Sequence, residues 1–401
     1  MTPAWLDQSI QRRLEDWRSA GLWRIARPAT EADGRVRVHD GARYVNFSGN
    51  DYLGLAHHPK VKEAVAKAVR RFGWGSTGSH LVTGHYAPHD ELEAAVARLT
   101  GCASALLFST GYMANLAIAS VVLVNKVEVL ADRLVHASII DGLRLSQAKF
   151  RRYRHLDMAH LAQLLEKNNA PKIIWTDGVF SMDGDCAPLP ALVALARAHD
   201  AALVVDDAHG IGVLGDNGGG LVEAQGIRPD ELSALTVTFG KALGGFGAAV
   251  AGPVEIIEAL RQFARPYIYT TALPVPAAAA VLASIQCLEH EPELRQQLRK
   301  NIEQFTAGLT QMGRAAISET AIQPIVVGCE ARALKLAEAL AEDGLWVPAI
   351  RPPTVPKGAA RLRITLSAQH RQEDIERLLT SLWQHRSLWR DAEVIESRQT
   401  T

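Results

Sequence analysis

Four short aliphatic runs each end on residues able to do chemistry. ALVV (202–205) runs into DDAHG, which places Asp206 at the end of a strand-like run with His209 three residues on. VEVLA (127–131) is followed by DRLVHAS and so by His136. ASALLF (103–108) leads into STGYMAN, where Gly111 and Tyr112 open a helical pattern. LTVTF (235–239) leads into GKALGG, with Lys241 in a glycine-rich turn and Thr238 three residues before it. Taken singly, each has an ordinary explanation: loop lysines are mostly solvated, and an Asp after a strand usually serves a turn. Taken together they supply a helix N-terminus for an anion, a ring that can stack, a carboxylate and an amine. Those are the parts of a pyridoxal phosphate site. A lysine amine can form a Schiff base with the cofactor aldehyde, and a carboxylate can pair with the pyridinium nitrogen. Burial lowers a lysine pKa toward reactivity.

Competing motifs carry less. GWGSTG (73–78) and GIGVLG (210–215) match a dinucleotide fingerprint, but the first follows a helical pattern and the second is followed by DNGGG. Neither has the strand-to-helix setting that such a loop needs. Asp206, Asp207 and His209, with His136, could suggest a metal, yet no HExxH or calcium loop accompanies them, so none is expected. No GxSxG elbow precedes a helix, which removes the serine hydrolase reading.

The elements that must position these residues follow from the rest of the chain. It has 401 residues, 43 basic against 43 acidic groups, and 48% hydrophobic residues. That balance excludes a disordered chain and argues against a nucleic-acid binder, while ~150 residues per domain gives two to three domains. Cys102, Cys186, Cys287 and Cys329 are widely spaced, as in a reducing compartment. The first residues, MTPAWLDQSIQRRLEDW, lack an apolar leader, so a cytoplasmic address is expected. Leu99 to Asn125 carries no charge and is long enough to span a bilayer. Its Gly, Ser, Thr and Asn residues make it a strand, a turn and a buried helix instead, and no membrane contact is expected. Strand-like and helix-like windows alternate as far as about residue 290, predicting an α/β fold with a mostly parallel sheet covered on both faces. Ligands in such folds sit beyond the carboxyl ends of the strands. Residues 1–45 are expected to form an N-terminal arm, 46–290 a large domain and 291–401 a smaller α+β domain.

The segments SGNDYLGL (48–55), GVFSMDGD (178–185), VDDAHGIGVLG (205–215) and VTFGKALGG (237–245) resemble the α-oxoamine synthase family. These are pyridoxal phosphate enzymes of the aspartate aminotransferase-like, fold-type I architecture. AIQPIVVG (321–328) and AIRPPTVPKGAARLRIT (349–365) resemble most its biotin-pathway branch, which condenses L-alanine with a pimeloyl thioester on CoA or acyl carrier protein. The resemblance implies that Lys241 carries the cofactor and moves protons at Cα, Asp206 pairs with the ring nitrogen, and His136 stacks on the ring. Ser181 and His209 would meet the phenolic oxygen, and Gly111, Tyr112 and Thr238 the phosphate. Arg363 would bind the amino-acid carboxylate, Arg24 and Thr354 would face the acyl substrate, and Asn50 would line the pocket. A homodimer is implied, with Thr270 or Thr271 reaching the partner's phosphate. His80 and the GGFG after the lysine turn depart from the family pattern. Alternatives are a sister synthase acting on glycine and acetyl-CoA, an aminotransferase on the same fold, and a binding module without activity.

Overall fold

The computed structural model describes residues 3–20, 22–123 and 126–390. Its centre is a seven-stranded sheet. In spatial order the strands are Ser104–Phe108, Ala248–Gly252, Ala234–Thr238, Ala202–Asp206, Lys172–Asp177, Glu128–Asp132 and Lys149–Tyr153. Six run parallel, and Ala248–Gly252 runs against both of its neighbours. The near-continuous aliphatic runs are explained by burial on both faces. Leu130, Ile174, Leu203, Val205 and Val237 pack into one core, whereas Val129, Ile173, Trp175 and Val204 pack into the other.

Six of the seven strands match apolar runs in the sequence. The seventh, Lys149–Tyr153, reads KFRRY and sits at the sheet edge with its first four residues exposed or half-buried. Charged side chains are a usual protection for an edge strand, and they hide it from a search for apolar runs. The charge-free stretch resolves into the strand Ser104–Phe108 and the helix Gly111–Val122, and its last residues, Val124 and Asn125, lie outside the described residues. Among the described residues no helix is long and apolar enough to cross a membrane.

After the long helix Glu293–Gln311, Ile322–Gly328, Ala360–Thr365 and Ala349–Ile350 form an antiparallel three-stranded sheet in that order. The N-terminal helix Ala4–Ser19 buries no residue. The strand Ala42–Asn46 pairs antiparallel with Val36–His39 and parallel with Leu345–Trp346, so early and late chain share one small sheet. Residues 1, 2 and 21 of the expected arm and 391–401 of the expected small domain lie outside the described residues.

Candidate active site at the carboxyl ends of the sheet

Asp206 is the last residue of its strand and is buried. Both of its oxygens accept N–H hydrogen bonds, from Asn115 Nδ2 at 2.7 Å and from the Ala208 amide at 3.1 Å. Asn115 also donates to Ser138 Oγ at 2.8 Å and accepts from Thr236 Oγ1 at 2.9 Å. Ser138 Oγ lies 2.7 Å from His136 Nδ1, and the Ser138 amide donates to the same nitrogen at 3.3 Å. An amide N–H can only donate, so His136 Nδ1 accepts and the neutral ring carries its proton on Nε2. Burial lowers the His136 pKa, against the opposing pull of Asp206. Asn115 and Ser138 were not singled out in the sequence. The available signal was one amide in the apolar helix GYMANLAIASVV, four residues after Gly111.

Asp177 ends the adjacent parallel strand in register with Asp206, and its Oδ1 accepts from the His136 amide at 3.1 Å. Burial and the charge of Asp206 push its pKa well up. Lys241 is half-buried in the turn beyond the neighbouring strand. Burial drives its pKa down to about 8, opposed by Asp206, Asp177 and Asp207 and assisted by Arg363. Gly244 in this turn has φ +58°, and a Cβ there would meet the Ala56 amide at 2.2 Å. Glycine therefore lets the lysine turn press against the end of SGNDYLGL. Asp207 faces away: its Oδ2 accepts from the Leu221 amide at 2.7 Å, and burial raises its pKa to about 7. The Asp206–Asp207–His209 stretch is thus split between two environments.

Gly111 begins its helix, and a Cβ there would lie 2.6 Å from Thr238 Cγ2. Close packing thus sets the helix N-terminus, with its free N–H groups, beside the strand that leads to Lys241. Thr238 Oγ1 donates to the Ala208 carbonyl at 3.2 Å. The Tyr112 side chain is 42% exposed and its hydroxyl bonds Asp141.

Arg363 reaches in from the small sheet and is buried. It donates to the Ser181 carbonyl, to Asn50 Oδ1 at 3.2 Å and to Tyr52 Oη at 3.4 Å. Tyr52 Oη lies 2.7 Å from His209 Nδ1. Burial and then the charges of Lys241, Arg363 and His136 hold His209 well below its usual pKa. Loop 178–185 is gripped again by His155, which bridges Asp132 at 2.8 Å and Asp185 at 2.7 Å. Burial works against this ring's charge, but the two carboxylates prevail and raise its pKa to about 9. The linkage has a definite sign. A raised His pKa contributes stability in full below the unfolded value near 6.5 and loses it as pH rises through about 9. Urea unfolding at pH 7 and pH 10 should show that loss, and His155→Gln should flatten it.

Arg24 Nη2 donates to Thr354 Oγ1 at 3.4 Å, bringing together two residues 330 positions apart. Thr270 is half-buried and Thr271 exposed, between Tyr269 and Ala272, whose amide donates to the Gly78 carbonyl. His80 lies apart from these groups, stacked on Tyr267 at 5.0 Å and hydrogen-bonded to His85.

The donor set suits pyridoxal phosphate. A lysine amine with a depressed pKa shares one sheet edge with a carboxylate that accepts two N–H bonds and with a helix N-terminus fixed by close packing. Asn115→Ala should loosen Asp206 and weaken cofactor affinity by ~10-fold or more, the scale of one hydrogen bond to a charged group. An absorbance titration of the cofactor-free protein measures this.

Comparison with known proteins agrees. Residues 42–382 match the family model for aminotransferase class I and II. An 8-amino-7-oxononanoate synthase of Halorhodospira halophila is 50% identical over 382 residues, covering 94% of each chain. One of Pseudomonas putida is 52% identical over 375 residues, 93% of this chain and 96% of its own. Among solved structures, a serine palmitoyltransferase of S. paucimobilis with bound PLP superposes with a TM-score of 0.90 at 31% identity, covering 97% of this chain and 99% of its own. An 8-amino-7-oxononanoate synthase of Francisella tularensis does so with a TM-score of 0.75 at 32% identity, covering 86% and 98%. The chain belongs to the aminotransferase class I and II family and, within it, to the fold-type I, pyridoxal phosphate-dependent α-oxoamine synthases.

Proposed function

We propose that the protein condenses L-alanine with a pimeloyl thioester to 8-amino-7-oxononanoate, releasing carbon dioxide and the thiol of the carrier. The observation that carries this reading at the site is Arg363. It is a buried guanidinium whose hydrogen-bond partners are all neutral oxygens. Among the described residues no carboxylate pairs with it, and a buried charge needs one. The carboxylate of an amino-acid substrate meets that need, and a planar fork binds it in a way that an ammonium does not. Arg363→Lys should raise KM for alanine by ~10- to 100-fold with a smaller change in kcat, read from initial rates. The choice of alanine and pimeloyl is supported by the relatives at about 50% identity.

Pyridoxal phosphate, when bound, supplies an aldehyde for an amine and a ring that spreads the negative charge developing at the substrate Cα. Gly111 and Tyr112 would hold the phosphate through backbone N–H groups, with Thr238 beside them. His136 would lie against the ring, its Nε2–H outward. Asp206, held by Asn115, would keep the ring nitrogen protonated. Ser181 and His209 would face the phenolic oxygen, with His209 oriented by Tyr52. Lys241 would take the Cα proton of alanine, so that Cα attacks the thioester carbonyl and the C–S bond breaks. After the alanine carboxylate leaves as carbon dioxide, Lys241 would return a proton to Cα. Arg24 and Thr354 would contact the acyl chain, and Asn50 would support Arg363. A serine palmitoyltransferase activity is the second reading; it rests on a solved neighbour of the same fold at 31% identity, against about 50% for the 8-amino-7-oxononanoate synthases. Thiol release with serine and palmitoyl-CoA, and none with alanine and pimeloyl-CoA, would favour it.

The same reading includes a cytoplasmic homodimer. Trp74, Val82, Phe263 and Tyr269 are each about 70% exposed or more, beside the Gly78–Ala272 contact and next to Thr270 and Thr271. Large exposed apolar patches mark interfaces. Sedimentation at twice the mass of one chain is the expected result, and Val82→Glu should shift it toward the monomer and lower activity with it.

A further inference from the structure

Three histidines outside the reacting centre converge on one point. His80 opens a short helical turn, His80–Gly84, His85 follows it, and His89 lies in the first turn of the helix Ala87–Thr100. The chain can double back here because residue 84 is glycine, where a Cβ would overlap the Gly78 carbonyl. The ring centroids stand 5.0 Å apart for His80 and His85, 5.1 Å for His80 and His89, and 5.2 Å for His85 and His89. A zinc–imidazole bond of about 2.0–2.1 Å puts each ring centre about 3.2 Å from the metal, and tetrahedral geometry then sets two ring centres about 5.2 Å apart. The triangle matches three imidazoles around one ion, and one nitrogen from each ring lies within 4.8 Å of the other two.

The hydrogen bonds behind the rings point the same way. His85 Nε2 lies 2.9 Å from Asp90 Oδ1, and His89 Nε2 lies 2.7 Å from the Leu273 carbonyl. Both oxygens accept, so each Nε2 carries a proton and each Nδ1 presents its lone pair. Metal-binding histidines are oriented in this manner, by a carboxylate or a carbonyl behind the ring. His80 Nδ1 and His85 Nδ1 are 2.7 Å apart and share one proton. An ion would take the place of that proton while His80 carries it on Nε2 instead, so the neutral rings release none. His89 Nδ1 accepts from the Tyr86 amide at 2.9 Å, and this is the bond that an ion would displace. His80 and His89 are buried, whereas the His85 side chain is 20% exposed and opens the cluster to solvent. Arg261, whose charge reaches His80, is paired with Glu93 at 3.5 Å, and Asp90 would offset the charge of the ion.

We propose that His80, His85 and His89 form a site for a divalent transition metal of the zinc type, with three Nδ1 ligands and water in the fourth position. Imidazole nitrogens suit zinc, copper and nickel, while magnesium and calcium prefer oxygen. The ion would clamp the chain around 76–89 to the chain around 267–273. Those two segments already meet through Ser76 Oγ and the Leu273 carbonyl at 2.6 Å, through the Ala272 amide and the Gly78 carbonyl, and through the stack of His80 on Tyr267. The site does not rest on the condensing activity proposed above.

The test uses the holoenzyme in phosphate-free buffer, with Zn²⁺ followed by calorimetry and Co²⁺ by its visible absorption. One Zn²⁺ per chain is expected, with Mg²⁺ unable to compete, and a Co²⁺ band that one equivalent of Zn²⁺ removes. His85→Gln should weaken Zn²⁺ by more than ~100-fold, beyond the loss that an outer partner causes, and Asp90→Asn by ~10-fold. His58→Gln, in the separate cluster with Cys287 and Glu291, should leave binding unchanged. Zn²⁺ should raise the melting temperature of the parent protein and not that of His85→Gln. His80→Gln and His89→Gln should behave as His85→Gln does. His89 also holds the Leu273 carbonyl, so if either buried variant fails to fold, the half-buried His85→Gln decides. Absence of stoichiometric Zn²⁺ binding, several weak sites unaffected by His85→Gln, or loss of binding in His58→Gln instead would each overturn the proposal.

Discussion

Lys241→Ala is expected to abolish turnover, by ~10⁴-fold or more, the upper end of what a positioned proton-transfer group supplies. Among the described residues no other lysine follows directly on a carboxyl end of the sheet. Burial has already brought the lysine down to about 8. The variant should fold, because the turn is held by its backbone: the Gly244 amide donates to the Lys241 carbonyl and the Gly245 amide to the Phe239 carbonyl, both at 2.8 Å. Two readouts go beyond rate. Borohydride reduction of the loaded protein should attach the cofactor to the peptide containing Lys241, and the variant should yield no labelled peptide. Only the neutral amine attacks an aldehyde, and its fraction grows with pH. Cofactor capture by the cofactor-free protein should therefore accelerate as pH rises and level off above about 8. Acceleration that continues to pH 10 would mean an ordinary exposed lysine. A variant that keeps a tenth of the activity would remove Lys241 from the mechanism.

The second large effect belongs to Asp206. Replacing it with alanine would strip two N–H donors of their acceptor, so lost stability would be mixed with lost catalysis. Asp206→Asn keeps the shape and removes the charge. The expected loss in kcat is ~10²–10³, the scale of one preorganised electrostatic contact, together with weaker cofactor affinity and a melting curve of the cofactor-free protein lowered less than in Asp206→Ala, because the Asn side chain keeps one acceptor oxygen for one of the two N–H donors. Full activity in the Asn variant would remove the charge of Asp206 from the mechanism.

The strand ends were legible because a doubly covered parallel sheet demands aliphatic runs, and the polar residue that breaks such a run marks its carboxyl end. Asp206, His136, Gly111 and Lys241 were found this way. The supporting network was not. Asn115 meets Ser138 and Asp206 across 23 and 91 positions, and no local period encodes such a contact. Tyr52 is similar: it reads as a core aromatic, yet its hydroxyl reaches His209 across 157 positions. That Arg24 and Thr354 both face the acyl substrate was expected only through family resemblance, and their hydrogen bond was not expected, since nothing in either segment points to the other. His155 was missed because an imidazolium between two aspartates looks, in sequence, like any histidine after an edge strand.

The central claim is tested most directly by incubating the holoenzyme with alanine and pimeloyl-CoA and measuring thiol and carbon dioxide together. The account predicts that both appear in equal amounts, and that neither forms with either substrate alone or with Lys241→Ala. Thiol without carbon dioxide would mean simple thioester hydrolysis. No thiol with alanine, but release with glycine and acetyl-CoA or with serine and palmitoyl-CoA, would contradict the assignment and place the chain on a sister branch.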